Sequence, residues 1–263
     1  MVVNKPMIAV AAVVVAVGLG AAYYWHSRST QSASVPVAAQ QTPPPSEPAI
    51  EHPVPQPGES ASNGPLPSLA ESDPAMKDAL SHLTGSDAVM QYLVPDSIIR
   101  HIVVTIDNLP RQKVAVSKRP AVSPAGTFLA DGDELHATID PNNFARYQPM
   151  VDVVRGLDIQ QVSQVYLRFY PLFQHVYQDL GYPNGYFNDR LVQVIDSLLA
   201  TPQPTDPIEL TRPNVMYVYA DPTLEARPAG QKLLLRMGPE NEAVIKAKLK
   251  ELRTVITAAP PKH

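Results

Sequence analysis

Apolar side chains recur at helical spacing through much of the second half of the chain. The longest stripe runs through Val162, Tyr166, Phe169, Phe173, Tyr177 and Leu180, in steps of four, three, four, four and three. Gln164, Arg168, Gln174, His175 and Gln178 fall on other faces. This spacing predicts a helix over 159–180 with one continuous buried face. Pro171 lies inside it, so a kink with a freed carbonyl near Leu167 is expected. Gly181 is placed to end it.

Shorter stretches carry the same period. Asp73–Pro74 puts a capping side chain before a proline at a first helical position, opening a helix that runs to Gly85. Ser86–Asp87 opens a short second one. Pro95–Asp96 opens a third, in which Ile98, Ile102, Ile106 and Leu109 share a face; its β-branched content leaves strand as the alternative over 103–106. Asp140–Pro141 starts a helix through Phe144, Tyr147 and Met150, with a break around Gly156–Leu157–Asp158. Leu191, Ile195 and Leu198 mark another, stopping at Thr201–Pro202. The last two span about 228–237 and 239–256. In the final one Glu240 and Glu242 sit in the first turn and Lys246, Lys248, Lys250 and Arg253 come later, matching the helix macrodipole.

Strand signals are few. Residues 128–139 read as a hairpin because Asp131–Gly132 supplies the positive φ of a tight turn. The run 215–219 reads as a strand, with 208–210 as its candidate partner, while 113–125 is a proline-punctuated loop. The expected fold is mainly α with a minor β component of one hairpin and one or two short strands.

The N-terminal quarter follows a different pattern. Residues 6–25 carry no charged side chain. As a helix rising about 1.5 Å per residue they span roughly 30 Å, the thickness of a bilayer's hydrocarbon core. Tyr23, Tyr24 and Trp25 stand at the edge of this run, where amphipathic rings favour the lipid–water boundary. A retained anchor is expected; a cleaved signal peptide is the alternative, since Gly18–Leu19–Gly20–Ala21–Ala22 offers small residues. Beyond Arg28 no Lys or Arg occurs before Lys77, which favours a cytoplasmic N-terminus (1–5) and a periplasmic bulk. Residues 26–67 are rich in Pro, Ser, Gln and Ala and poor in large aliphatics, the composition of a disordered linker. The folded region is then 68–256, with 257–263 as a tail.

Composition narrows the chemistry. The chain has 263 residues, no cysteine, 29 prolines, 17% charged residues and a formal charge of −4. That excludes a disulfide scaffold, a thiolate metal site and a cysteine nucleophile, and it argues against a nucleic-acid partner. No phosphate-binding glycine loop, GxSxG elbow, SxxK motif or HExxH helix occurs, which leans away from an enzyme. Asp131, Asp133, Glu134 and His136 lack the calcium-loop register and read as a solvated hairpin. His82, His101 and His175 stand singly on helices. No cofactor and no metal is expected. The basic residues Arg111, Lys113, Lys118 and Arg119 read as a solvated loop, with an anionic surface as the alternative.

Aromatic residues are the unusual concentration. Ten of the seventeen Phe, Tyr and Trp side chains lie between Phe144 and Phe187. Tyr170, Tyr182 and Tyr186 fall off or beyond the core stripe, with Arg168, Asn188, Asp189 and Arg190 interleaved. Tyrosines with an apolar body and a polar tip suit a binding groove, so these seven residues form the candidate site.

Three blocks, 139–151, 165–202 and 229–252, resemble a family of bacterial single-span envelope proteins, domain-of-unknown-function family 3014. The resemblance implies an inner-membrane-anchored protein and supplies no catalytic residues. The expected function is a periplasmic binding or scaffold module for an envelope protein or cell-wall component. The alternative is an envelope hydrolase that cleaves a wall glycan or peptide through carboxylates the sequence does not identify.

Overall fold

A computed structural model describes residues 49–55, 65–84, 94, 96–112, 126–133, 137–213 and 216–258. The apolar run 6–25, most of the linker, the Ser86–Asp87 helix start, the 113–125 loop up to Ala125, and the end of the tail lie outside them. Among the described residues no helix is long and apolar enough to cross a membrane.

Eight helices are formed by the described residues: α1 (Ser72–Thr84), α2 (Ile98–Asn108), α3 (Asn142–Gly156), α4 (Ile159–Asp179), α5 (Phe187–Leu199), α6 (Pro222–Glu225), α7 (Ala229–Met237) and α8 (Pro239–Ile256). The β component is four short antiparallel strands in the order β1 (Ala130–Asp131), β2 (Ala137–Ile139), β3 (Glu209–Thr211) and β4 (Val218–Tyr219). The mainly helical expectation holds. Segment 103–106 is helical, because Val103 and Ile106 complete the buried face of α2 beside Ile99 and Ile102.

Periodicity locates the elements, and packing arranges them around α8. This helix contacts α3, α4, α5 and α7, burying Ile245, Leu249, Leu252 and Ile256. The turn into it needs Gly238, where φ is +84° and an added Cβ would stand 2.5 Å from the Phe144 ring. Asn241 then donates to the carbonyls of Phe144 and Met237, both at 2.9 Å, tying α8 to α3 and α7. The stripe on α4 is buried at Val162, Phe169, Phe173 and Tyr177, with Tyr166 and Leu180 partly buried against the same core.

Three expectations change in detail. Asp73 lies within α1 rather than capping it. Its carboxylate instead accepts from the backbone N–H groups of Ser97 at 2.7 Å and Ile98 at 2.9 Å, so it caps α2 across space. Ser97 itself adopts a left-handed φ of 53° and supplies no side-chain cap. The hairpin of 128–139 forms, but not with a two-residue turn: Asp131 pairs with Thr138, and Gly132, at φ +103°, begins a longer connection. The expected pairing of 208–210 with 215–219 is present as Leu210 opposite Tyr219. Beyond the expected pairs, β2 also pairs with β3, Ala137 opposite Leu210, joining both pieces into one sheet. Ala137, Ile139, Leu210, Tyr219 and Leu235 form its small separate core.

Part of the linker is also seated on the domain. Residues 49–55, placed in the disordered tether by composition, make four hydrogen bonds to α5 and its approach. The composition argument counts apolar side chains, whereas this segment attaches through its main chain.

A groove that holds main chain, backed by a buried ion pair

The aromatic turn joins α4 to α5 and is set by two local features. Gly185 must be glycine, since a Cβ there would lie 2.8 Å from Tyr177 Cε1 and 2.9 Å from Tyr182 Cβ. Gln174, on α4, then holds both edges of the turn. Its Nε2 donates to the Gly185 carbonyl at 2.7 Å, and its Oε1 accepts from the Phe187 N–H at 2.8 Å and from the Tyr170 hydroxyl at 3.0 Å. Behind them the rings pack continuously. Tyr170 lies 5.7 Å from Tyr186, Tyr166 5.8 Å from Phe173, and Tyr177 stacks on Tyr182 at 4.6 Å.

Six of the seven candidate residues divide between two networks. Tyr186, Asn188 and Asp189 face segment 49–55. The Asp189 carboxylate accepts from the N–H of Glu51 at 3.1 Å and of His52 at 2.6 Å. Asn188 Nδ2 donates to the His52 carbonyl at 2.8 Å and to that of Ile256 at 3.2 Å, while its Oδ1 accepts from the Tyr166 hydroxyl at 2.9 Å. The Tyr186 hydroxyl accepts from the Val54 N–H at 3.0 Å. Tyr170 stands behind Tyr186 and supports it.

Tyr182 and Arg190 turn the other way, onto Asp107 of α2. That side chain is 5% exposed, and its Oδ1 accepts from Arg190 Nε at 3.0 Å. Arg190 Nη2 donates to the Asp107 carbonyl at 2.6 Å. Arg111 Nη2 donates to Asp107 Oδ2 at 2.7 Å and to the Tyr182 hydroxyl at 3.0 Å; that hydroxyl in turn donates to Asp107 Oδ2 at 3.3 Å. Arg190 therefore belongs to the packing of α5 on α2 rather than to the groove. Arg168 holds its guanidinium 5.5 Å from the Phe169 ring centroid and is not needed to account for either network.

Electrostatics keep the ring wall neutral. Burial raises the Tyr166 and Tyr170 hydroxyls well above the ordinary phenol range, and at Tyr170 the hydrogen bond to Tyr186 adds to it. Both stay protonated and act as donors at neutral pH. Among described acids burial also raises the carboxyl of Glu242, against the opposing pull of Lys246. That acid is 2% exposed and pairs with Lys246 at 2.6 Å, which makes it part of the packing of α8 rather than an acid in a cleft.

Sequence reasoning missed Asp107, Gln174 and the seated segment. Asp107 carries a signal: it stands four residues after Val103 on the buried face of α2, the one acid on that stripe. An isolated acid at a core position needs a cation. The segment carries another, Pro53 and Pro55 at alternate positions beside consecutive N–H donors.

Each hydrogen bond to the segment contributes about 0.5–1.5 kcal/mol net, more where a carboxylate accepts. Ordering its residues costs about 1–2 kcal/mol for each. For residues 51–54 the opposing sums are of similar size, and the partial burial of His52, Val54 and Pro55 adds to the hold, while Ile50 stays 55% exposed.

The domain is thus a helical bundle with a small edge sheet and a surface groove at the start of α5 that holds the main chain of residues 51–54. The model of the family described as a protein of unknown function (DUF3014) matches residues 98–253. The chain belongs to that family. No curated protein and no solved structure matches it. The matched span contains the groove and Asp107; segment 49–55 precedes it.

Proposed function

We propose that this chain is an inner-membrane-anchored envelope protein whose periplasmic domain is a binding or scaffold module for a partner protein or cell-wall component. The anchor reading rests on the charge-free run 6–25 with its terminal Tyr23, Tyr24 and Trp25, and on the absence of Lys and Arg between Arg28 and Lys77. The binding reading rests on one observation: Tyr186, Asn188 and Asp189 hold the main chain of residues 51–54 by hydrogen bonds. Side chains that satisfy a passing backbone are what a peptide-recognising surface requires.

In-cell crosslinking and affinity capture with the full chain, beside a folded Tyr186→Ala variant, tests the binding role. A discrete partner recovered by the parent and lost in the variant is the expected result. Recovery of the same partners by both would remove the aromatic turn as the site.

A further inference from the structure

Within residues 51–55 the pattern of backbone donors matches the groove position by position. Glu51, His52 and Val54 each carry an N–H, and each is accepted, the first two by Asp189 and the third by Tyr186. Pro53 and Pro55 carry none. The prolines thus bring no further donor that the groove would have to satisfy, and one carbonyl, that of His52, receives the Asn188 amide. The main chain makes the polar contacts of this fit: Ile50, Glu51 and Pro53 are exposed, and His52, Val54 and Pro55 are half-buried.

A site that satisfies each backbone donor of a segment accepts another segment of the same pattern. From this we infer that the groove is a recognition site for proline-punctuated peptide of the form x-x-Pro-x-Pro, in which x is any residue that carries a backbone N–H. Residues 51–55 are its resident, tethered ligand, exchanged for a like segment of a partner protein. The inference rests on the binding-module reading and names the chemistry of its ligand. Pro55 is close in sequence to Pro65, where the described chain resumes ahead of α1, so the resident segment is an intramolecular competitor for the groove. A free partner segment binds only by overcoming that competition.

The test uses the full chain in detergent micelles and a fluorescent, end-blocked peptide of residues 49–55, followed by anisotropy. Glu51→Pro/His52→Pro removes the two donors to Asp189 from the resident segment and leaves the groove untouched. This variant is expected to bind the peptide at least tenfold more tightly than the parent. A peptide carrying the same two prolines should not bind, and adding Asp189→Ala to the released chain should abolish binding. Val54→Pro, which removes the donor to Tyr186, should give a smaller gain in the same direction. Equal binding by parent and released chains, with unchanged melting curves, would overturn the inference. So would loss of the fold in both proline variants, which would make the segment a structural strap. If the released chain binds the peptide but the peptide fails to displace a Tyr186-dependent partner captured in cells, the ligand class falls and the binding module stands. If peptide binding is intact but no such partner is captured, the binding-module role falls and the groove's preference for proline-punctuated peptide stands.

Discussion

Asp189 and Arg190 are adjacent in sequence and serve different neighbours. Successive side chains on a helix diverge by about 100°, so from the first turn of α5 one points to segment 49–55 and the other to α2. On the α2 side a carboxylate is sealed from water and satisfied by two guanidinium groups and a tyrosine hydroxyl. On the groove side a carboxylate meets two backbone N–H groups of an irregular, partly exposed segment. The first arrangement is expensive to break, because each partner removed strands a buried charge. The second is inexpensive to exchange, because water or another backbone replaces what leaves. The same short stretch of chain therefore anchors the fold with one face and leaves the other replaceable.

The sharpest way to break this contrast is Asp107→Ala or Arg190→Ala. Asp107→Ala should destabilise the domain by about 3–5 kcal/mol, because Arg190 loses its buried carboxylate, and Arg190→Ala by less, because Arg111 and Tyr182 still meet Asp107; both are read from urea unfolding with an unchanged slope. Asp189→Ala should cost less than about 1 kcal/mol globally, because the conformational entropy regained by the released segment offsets the hydrogen bonds lost. It should still abolish hydrogen-exchange protection at the Glu51 and His52 amides. Similar global losses for Arg190→Ala and Asp189→Ala would erase the distinction between the two faces.

The shared tyrosine wall gives the smallest effect at neutral pH, where none is expected. With the folded-state values of Tyr166 and Tyr170 raised above the ordinary 10.0, their stabilising contribution is complete below pH 10 and is lost as pH rises beyond it. Absorbance titration at alkaline pH should show these two hydroxyls ionising only as the domain unfolds. Smooth ionisation of every tyrosine near pH 10 would contradict their burial.

How much of this is legible in the sequence varies by residue. The stripe from Val162 to Leu180 is readable because a long helix repeats its buried face, and so are the ends of α8. The aromatic turn is readable as a concentration, and three of its residues, Tyr186, Asn188 and Asp189, meet in the groove. Arg190 and Tyr182 fall in the same stretch yet face elsewhere, because sequence adjacency carries no information about which neighbour a side chain meets. Asp73 shows the same limit: its capping chemistry is legible, but the N-terminus it serves lies 24 residues away. The seated segment escapes because composition weighs side chains and this contact is made by backbone.

By itself the sequence determined the helical class, the main helices, the aromatic wall and the charge-free N-terminal run, because those follow from local periodicity and composition. Only the tertiary structure decided that α8 gathers the bundle, that β2 and β3 join two hairpins into one sheet, and that Asp107 lies under the turn. It also decided that the groove holds residues 51–54. Each of these depends on groups distant in sequence meeting at hydrogen-bond range, and no local pattern encodes which of many chemically suitable partners the packing brings near.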